Sequence, residues 1–364
     1  GLFHVNTSWM GLTSLVVLAV VWAMAFWGGF SSPKVKHISV TVPQAPSMKL
    51  ALLADTHLGM GVSLARFDKA LQKIEAEKPD ALLVLGDIFD RGPDALKVYK
   101  YLMSIPKCRR IMIKGNHEDL YLELLKKSYP DKYDYSNGTV DTFLQISNSS
   151  MGTIYDEGWD YIAKQVSENA ITEWLKSDEW KNYYELGPYI FTHSFVPTQV
   201  KKEFEYALIG YSPLYLPVDY FTARADWRNA SEADWYWARW GCPYEQYRCG
   251  LFDEPNKTLV VGHWHTSDFF VNLKNNYRYC RECGPIYYSS GIIGIDGGVM
   301  RDYLSGNLVH PQNVLIIDEQ SWKCYDKFGN ELVEEKAIPK IETTRLADSD
   351  FASDIEILEN KEIN

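Results

Sequence analysis

Cysteine is scarce in this chain of 364 residues. Six thiols, Cys108, Cys242, Cys249, Cys280, Cys283 and Cys324, stand at irregular spacing. That excludes a disulfide-scaffolded fold and makes a reducing compartment the default. Cys280 and Cys283 form a CxxC that could join Cys242 and Cys249 in a four-thiolate zinc site, with isolated thiols or a disulfide as the alternatives. Positive charge is scarce too. Lys and Arg number 37 against 48 Asp and Glu, a formal net charge of -11. The chain therefore lacks the clustered cations that track a nucleic-acid backbone, and no nucleic-acid partner is expected. An acidic protein that handles phosphate must recruit positive charge locally, through metal ions and a few arginines.

What is present is a globular composition, 46% hydrophobic and 23% charged, with aromatics high at 14%. This length suits one catalytic domain with appendages. Residues 9–30 carry no charge and are long enough to cross a hydrocarbon core of about 30 Å. Nothing basic precedes them and Lys34, Lys36 and His37 follow, so the positive-inside bias puts the remainder on the cytoplasmic side. A signal peptide is the alternative, but the basic leading region and a good cleavage site are missing. The chain thus divides into a candidate transmembrane anchor (1–33), a linker with prolines (34–47), a catalytic domain (48–330) and an acidic tail (331–364). Inside the domain, 199–254 is an aromatic-rich insertion with Trp227, Trp235, Trp237 and Trp240. It reads either as a small aromatic core of its own or as a lid on a cleft.

Short apolar runs at 49–54, 81–85 and 110–113 alternate with helical periodicity at 64–78 and 95–103, which predicts βαβ units with ligands at the carboxyl ends of the strands. Further strands are expected at 189–192, 258–261, 286–289 and 314–317. Five islands follow these runs: DTH at 55–57, GDIFDRG at 86–92, GNHE at 115–118, THS at 192–194 and GHWH at 262–265. They hold five of the eight histidines. Mixed Asp, His and Asn donors suit manganese, iron or zinc better than calcium or magnesium. Thiolates are absent from the islands, so an open catalytic site is favoured over a closed structural one. Four histidines and two aspartates are too many for one open ion and fit two that share a carboxylate. Such a pair would hold a bridging hydroxide and clamp the attacking and leaving oxygens of an in-line displacement at phosphorus.

The order D-x-H, GD-x-x-DRG, GNHE, H, GH-x-H resembles the calcineurin-like metallophosphoesterases, and GDIFDRG with GNHE resembles their phosphoprotein phosphatase branch. KGNHEDLYLELLKKSYPDKYDYSNGTVDTF, DWRNASEADWYWARWGCPYE and the GHWH island are similar to serine/threonine phosphatase-like proteins of bacterial and phage type. Spanning 48–318, the resemblance implies an α/β fold, a four-layer αββα sandwich of two mixed β-sheets flanked by helices. It implies two divalent ions, manganese preferred and iron, zinc or nickel also suited. Asp55, His57, Asp87 and His265 would hold the first, with Asp87 bridging, while Asn116, His193 and His263 complete the second. His117 would be the general acid, Asp90 the carboxylate orienting its ring, and Arg91, with Asn116, the binder of phosphate oxygens.

The implied activity is hydrolysis of phosphomonoesters on a protein or small molecule, phosphoserine and phosphothreonine among them. Alternatives are symmetrical hydrolysis of dinucleoside polyphosphates or other nucleotide phosphodiester cleavage and, in another class, an inactive membrane-tethered binding module. Two departures bear on a protein substrate: Lys114 stands where the branch has Arg before GNHE, losing the bidentate fork, and the fourth island reads THSF without the usual glycine. Glu118 and Asp119 read as charges favoured at a helix N-terminus. Trp264 reads as a substrate platform or as core.

Overall fold

A computed structural model of the protein describes residues 34–39, 49–54, 71–72, 74–92, 94–208, 212–213, 216–266, 287–289, 291–297, 313–318, 324–325 and 331–332. The apolar run 9–30, the expected ligands Asp55 and His57, the CxxC of Cys280 and Cys283, and the tail after 332 lie outside them. Among the described residues no helix is long and apolar enough to cross a membrane.

Two sheets form the centre. The first runs β1 (Lys34–Ser39), β13 (Asn313–Asp318), β2 (Leu50–Leu53), β3 (Ala81–Val84), β4 (Arg110–Ile113) and β5 (Trp180–Lys181). Strands β2 to β5 are parallel, and β13 pairs antiparallel with β2. The second runs β11 (Tyr287–Ser289), β12 (Ile292–Gly294), β10 (Thr258–Val261), β7 (Tyr189–Thr192) and β6 (Tyr183–Leu186), with β12, β10 and β7 parallel. Apart from these sheets, β8 (Thr198–Val200) and β9 (Phe221–Ala223) pair with each other antiparallel.

Side chains of a strand alternate between faces, and a parallel strand covered on both reads as an unbroken apolar run. Leu50, Leu52 and Leu83 accordingly point between the sheets, against Tyr189, Phe191, Val260 and Ile293. Their neighbours Ala51, Leu53, Leu82 and Val84 point the other way, into a helical layer.

That layer comprises α1 (Ala95–Ser104) and the succession α2 (Asn116–Leu124), α3 (Lys132–Asn137), α4 (Thr139–Ile146), α5 (Met151–Glu157), α6 (Trp159–Ser167) and α7 (Ala170–Leu175) between β4 and β5. Fully buried Phe143 joins them, stacking on Trp159 at 5.5 Å and meeting Tyr121 at 4.8 Å. Burying a ring of that size stabilises by about 1.5–3 kcal/mol.

The outer face of the second sheet, Ile190, Leu259, Val261 and Ile292, is covered by Trp227, Trp235, Ala238 and Tyr244. Trp235 and Ala238 lie on α8 (Glu232–Trp240), whose start is fixed by Ser231 accepting from the backbone N–H of Asp234. Among its described residues, the insertion 199–254 thus packs Trp227, Trp235 and Tyr244 on the sheet rather than into a core of their own, and they supply the fourth layer of the αββα sandwich.

Two further differences from the sequence reading concern edges. Residues 34–39, read as linker, form β1, paired in parallel with β13 from Lys34↔Asn313 to Ser39↔Asp318. Residues 331–332, placed in the tail, form β15 (Glu331–Leu332), which pairs with β14 (Cys324–Tyr325).

Candidate metal centre

The carboxyl ends of β3, β4, β7 and β10 lie side by side, and each leads into one of the described islands. After β3 the chain turns through Gly86 (φ 85°) and Asp87 (φ 54°). A non-glycine residue in the left-handed region costs of order 1 kcal/mol or more and persists only where its surroundings over-determine it. Here Glu118 does so. Its Oε2 accepts the backbone N–H of Asp87 at 2.9 Å and of Gly115 at 2.8 Å, and its Oε1 accepts that of Ile88 at 3.0 Å. Asp87 Oδ1 in turn accepts the backbone N–H of His117 at 2.9 Å. A Cβ at Gly115 would stand 2.7 Å from the Asp87 nitrogen, so the two loops approach this closely only with glycine there.

Burial and the Asp87 charge push Glu118 up to about 7, against the pull of the three N–H groups. More than a helix-end charge, it clamps two islands together. Glu118→Gln sets an amide NH2 against these N–H donors. We expect metal affinity to fall roughly 10–100-fold, as for other supporting groups of metal sites, with the overall fold retained; isothermal titration with manganese checks it.

Asn116 opens α2, and its Oδ1 lies 2.9 Å from His193 Nε2. His193 follows β7, and its Nδ1 is 2.5 Å from the Leu85 carbonyl. A carbonyl only accepts, so Nδ1 carries the proton and Nε2 of the neutral ring carries a lone pair. That nitrogen also faces Asp87 Oδ1 at 3.5 Å. His263 follows β10 with φ 64°, its ring 4.9 Å from that of His193. One donor atom from each of Asp87, His193 and His263 lies within 4.8 Å of the others. Burial holds both imidazoles below their ordinary pKa, His263 down to about 3, so both rings are neutral at pH 7. The bare Nε2 of His193, the Asp87 carboxylate and the Asn116 amide oxygen face one another, and this donor set fits a divalent ion.

His265 is outside this cluster of three. Its Nδ1 pairs with Asp296 Oδ2 at 2.9 Å, which fixes the ring's orientation as a supporting carboxylate does for a metal-binding histidine. Asp296 is nearly fully buried, and the sequence reading missed it. Its signal was there: Ile292-Ile293-Gly294-Ile295 is one more apolar run ending at a carboxylate.

His117 Nδ1 lies 2.8 Å from Asp90 Oδ2, and its Nε2 is 3.9 Å from Asp87 Oδ2. Asp90 also accepts from the hydroxyls of Thr139 (2.6 Å) and Thr142 (2.7 Å) on α4, two partners the sequence did not suggest. Burial lowers the His117 pKa, but Asp87 and the Asp90 bond outweigh it and the net direction is upward. Arg91 (φ 67°) lies against Gly138, where a Cβ would come within 2.7 Å of the Arg91 nitrogen, and its Nη2 donates to Asn137 Oδ1 at 3.0 Å.

Asp119 is paired rather than solvated. It meets Lys114 Nζ at 2.5 Å and Arg239 Nε at 2.6 Å, and Arg239 continues to Asn182 and Glu232. This network ties α8 to the helix that carries Asn116 and His117, and it occupies the Lys114 ammonium. Trp264 packs against the outer core of the second sheet. Cys242 and Cys249 cap the two ends of the helix Pro243–Arg248.

The family model for calcineurin-like phosphoesterases matches residues 48–267. An uncharacterized metallophosphoesterase of Campylobacter jejuni is 33% identical over 88 residues, 24% of this chain and 24% of its own length. A transmembrane protein with a metallophosphoesterase domain from Bos taurus is 25% identical over 111 residues, 29% of this chain and 25% of its own. The symmetrical bis(5'-nucleosyl)-tetraphosphatase of Buchnera aphidicola is 36% identical over 73 residues, 20% and 25% respectively. The matches span about a quarter of the length of these relatives. Similar solved structures include a putative diadenosine tetraphosphatase (15% identity, TM-score 0.35, 72% of this chain and 88% of that one) and a phosphoesterase from E. coli (12%, 0.31, 79% and 97%).

Proposed function

The chain belongs to the calcineurin-like phosphoesterases, and from that premise we propose that it hydrolyses phosphomonoesters with two divalent ions, manganese the preferred metal. Asp55, His57, Asp87 and His265 would hold one, and Asn116, His193 and His263 the other, with Asp87 shared. The observation that carries this reading is the convergence of Asp87 with two neutral imidazoles within 4.8 Å. When bound, such ions supply a nucleophile at neutral pH and offset phosphate charge.

The chain's own groups do the rest. The Leu85 carbonyl keeps the His193 proton on Nδ1, so that Nε2 stays a ligand. Asp90, itself fixed by Thr139 and Thr142, holds the His117 ring and favours its charged form, which places a proton on Nε2 for the leaving oxygen. Arg91 offers its planar fork to the non-bridging oxygens as charge builds on them.

Phosphoserine and phosphothreonine fall within this class. The Buchnera relative's name supports a second reading, symmetrical cleavage of dinucleoside polyphosphates. The test is a panel of p-nitrophenyl phosphate, phosphoserine and phosphothreonine peptides, a cyclic nucleotide and diadenosine tetraphosphate, before and after chelation and readdition of manganese. Metal-restored turnover of the monoesters is expected. Turnover of diadenosine tetraphosphate alone would favour the second reading, and no turnover of any substrate would leave a binding module.

A further inference from the structure

One aromatic wall runs from the metal centre toward solvent. Trp240, the last residue of α8, stands edge-on to His263, ring centroids 6.3 Å apart at 86°. Tyr133 on α3 follows at 6.4 Å from Trp240 and is 48% exposed. Tyr236, one turn before Trp240, braces it at 6.5 Å.

Helical spacing separates these rings from the core. Trp235 and Ala238 share the face that packs on the second sheet, whereas Tyr236 and Trp240, four residues apart, share another. Trp240 is only half-buried and takes no part in the sheet-covering cluster. The short helix α3 also carries Asn137, which holds Arg91. Tyr133 and Asn137, one turn apart, therefore join the wall to the phosphate-binding guanidinium.

We propose that Trp240 and Tyr133 are specificity-determining residues that receive a planar aromatic ring carried by the leaving group, a nucleobase or an aryl ring, while its phosphate lies at Asp87, His193, His263 and Arg91. This rests on the phosphoesterase reading above and names the substrate class for the same site. Every nucleobase and aryl group has a π-face to stack, so such a wall is tolerant of ring identity but selects against aliphatic leaving groups.

The test compares kcat/KM for adenosine 5'-monophosphate, phenyl phosphate and glycerol 2-phosphate in the wild type, Tyr133→Ala, Trp240→Ala and Trp240→Phe. The two alanine variants are expected to lower the selectivity for ring substrates over glycerol 2-phosphate roughly tenfold, mainly through KM, and Trp240→Phe to keep most of it. A change confined to adenosine 5'-monophosphate identifies a nucleobase, and one shared with phenyl phosphate identifies aryl rings in general. Selectivity unchanged in both alanine variants overturns the proposal.

Equilibrium binding of adenosine 5'-monophosphate, phenyl phosphate and ribose 5-phosphate to the same proteins reads the wall without turnover. An inactive wild type would sink the phosphoesterase reading, and the binding ratios would still decide this one. The same roughly tenfold loss of preference for ring ligands supports it, and an equal affinity change for all three refutes it.

Discussion

Asp87→Asn is expected to cost the protein its divalent metal and its phosphoester turnover together. Asn keeps the size of the side chain and an oxygen that can accept the His117 N–H now held by Oδ1. The Glu118 clamp acts on the backbone of residue 87 and does not depend on its carboxylate, so the loop keeps its path. What disappears is the anionic donor beside His193 and His263, both neutral because burial holds their pKa down. Two neutral rings and two amides cannot offset a buried dication. Affinity should fall by more than the roughly 100-fold seen when only a supporting group is lost. The metal-free Asp87→Asn variant should melt no lower than metal-free wild type, because the substitution removes a buried charge rather than a packing contact. Elemental analysis, thermal melts and p-nitrophenyl phosphate turnover check the three parts.

His117→Ala should act on the chemistry and spare the metal. Its ring is held by Asp90 and is not among the three side chains that converge, so metal content is expected to match the wild type. Loss of a positioned acid lowers kcat by about 10²–10⁴-fold, and the loss depends on how much the leaving oxygen needs a proton. With an alkyl phosphate the full penalty is expected. With p-nitrophenyl phosphate, whose leaving group departs readily as an anion, the penalty should be smaller. Equal losses on both substrates would remove His117 from the acid's role, and lost metal would place it among the ligands.

The fold was legible where the chain repeats one device, an apolar run that ends at a polar island. Strands β2, β3, β4, β7, β10, β11 and β13 were expected within a residue or two of their bounds; β2, β3, β7 and β10 are buried along their whole length, which makes each a short, mostly apolar run. Other strands gave weaker signals. Residues 34–39 alternate, but with prolines around them they read as a linker, and only pairing with β13, far away in sequence, makes them a sheet edge. Strand β5 is two residues long, and β12 is flanked and ended by glycines.

At the site, which side chains come together was legible and their support was not. Asp87, Asn116, His193 and His263 were named from residue types that suit metal ligation, and the fold brings them together. Nothing local to Glu118 says that its carboxylate binds three backbone N–H groups, two of them about 30 residues away. Nor does anything local to Arg239 reveal its buried pairing with Asp119, 120 positions earlier. Such partners are set by tertiary approach, which a linear pattern does not encode. Asp296 lies between these cases: its run-then-carboxylate pattern was visible, but its role as the group that orients His265 needed the fold.

The central claim is that this site is a two-ion metal centre anchored on Asp87, and metal stoichiometry tests it most directly. The wild-type chain should be stripped, re-equilibrated separately with manganese, iron, zinc and nickel, freed of excess metal and analysed beside Asp87→Asn. Two tightly held ions per chain are expected for the wild type with at least one of these metals, and a large loss for the variant. A wild type that retains none, or a variant that retains as much as the wild type, would contradict the account.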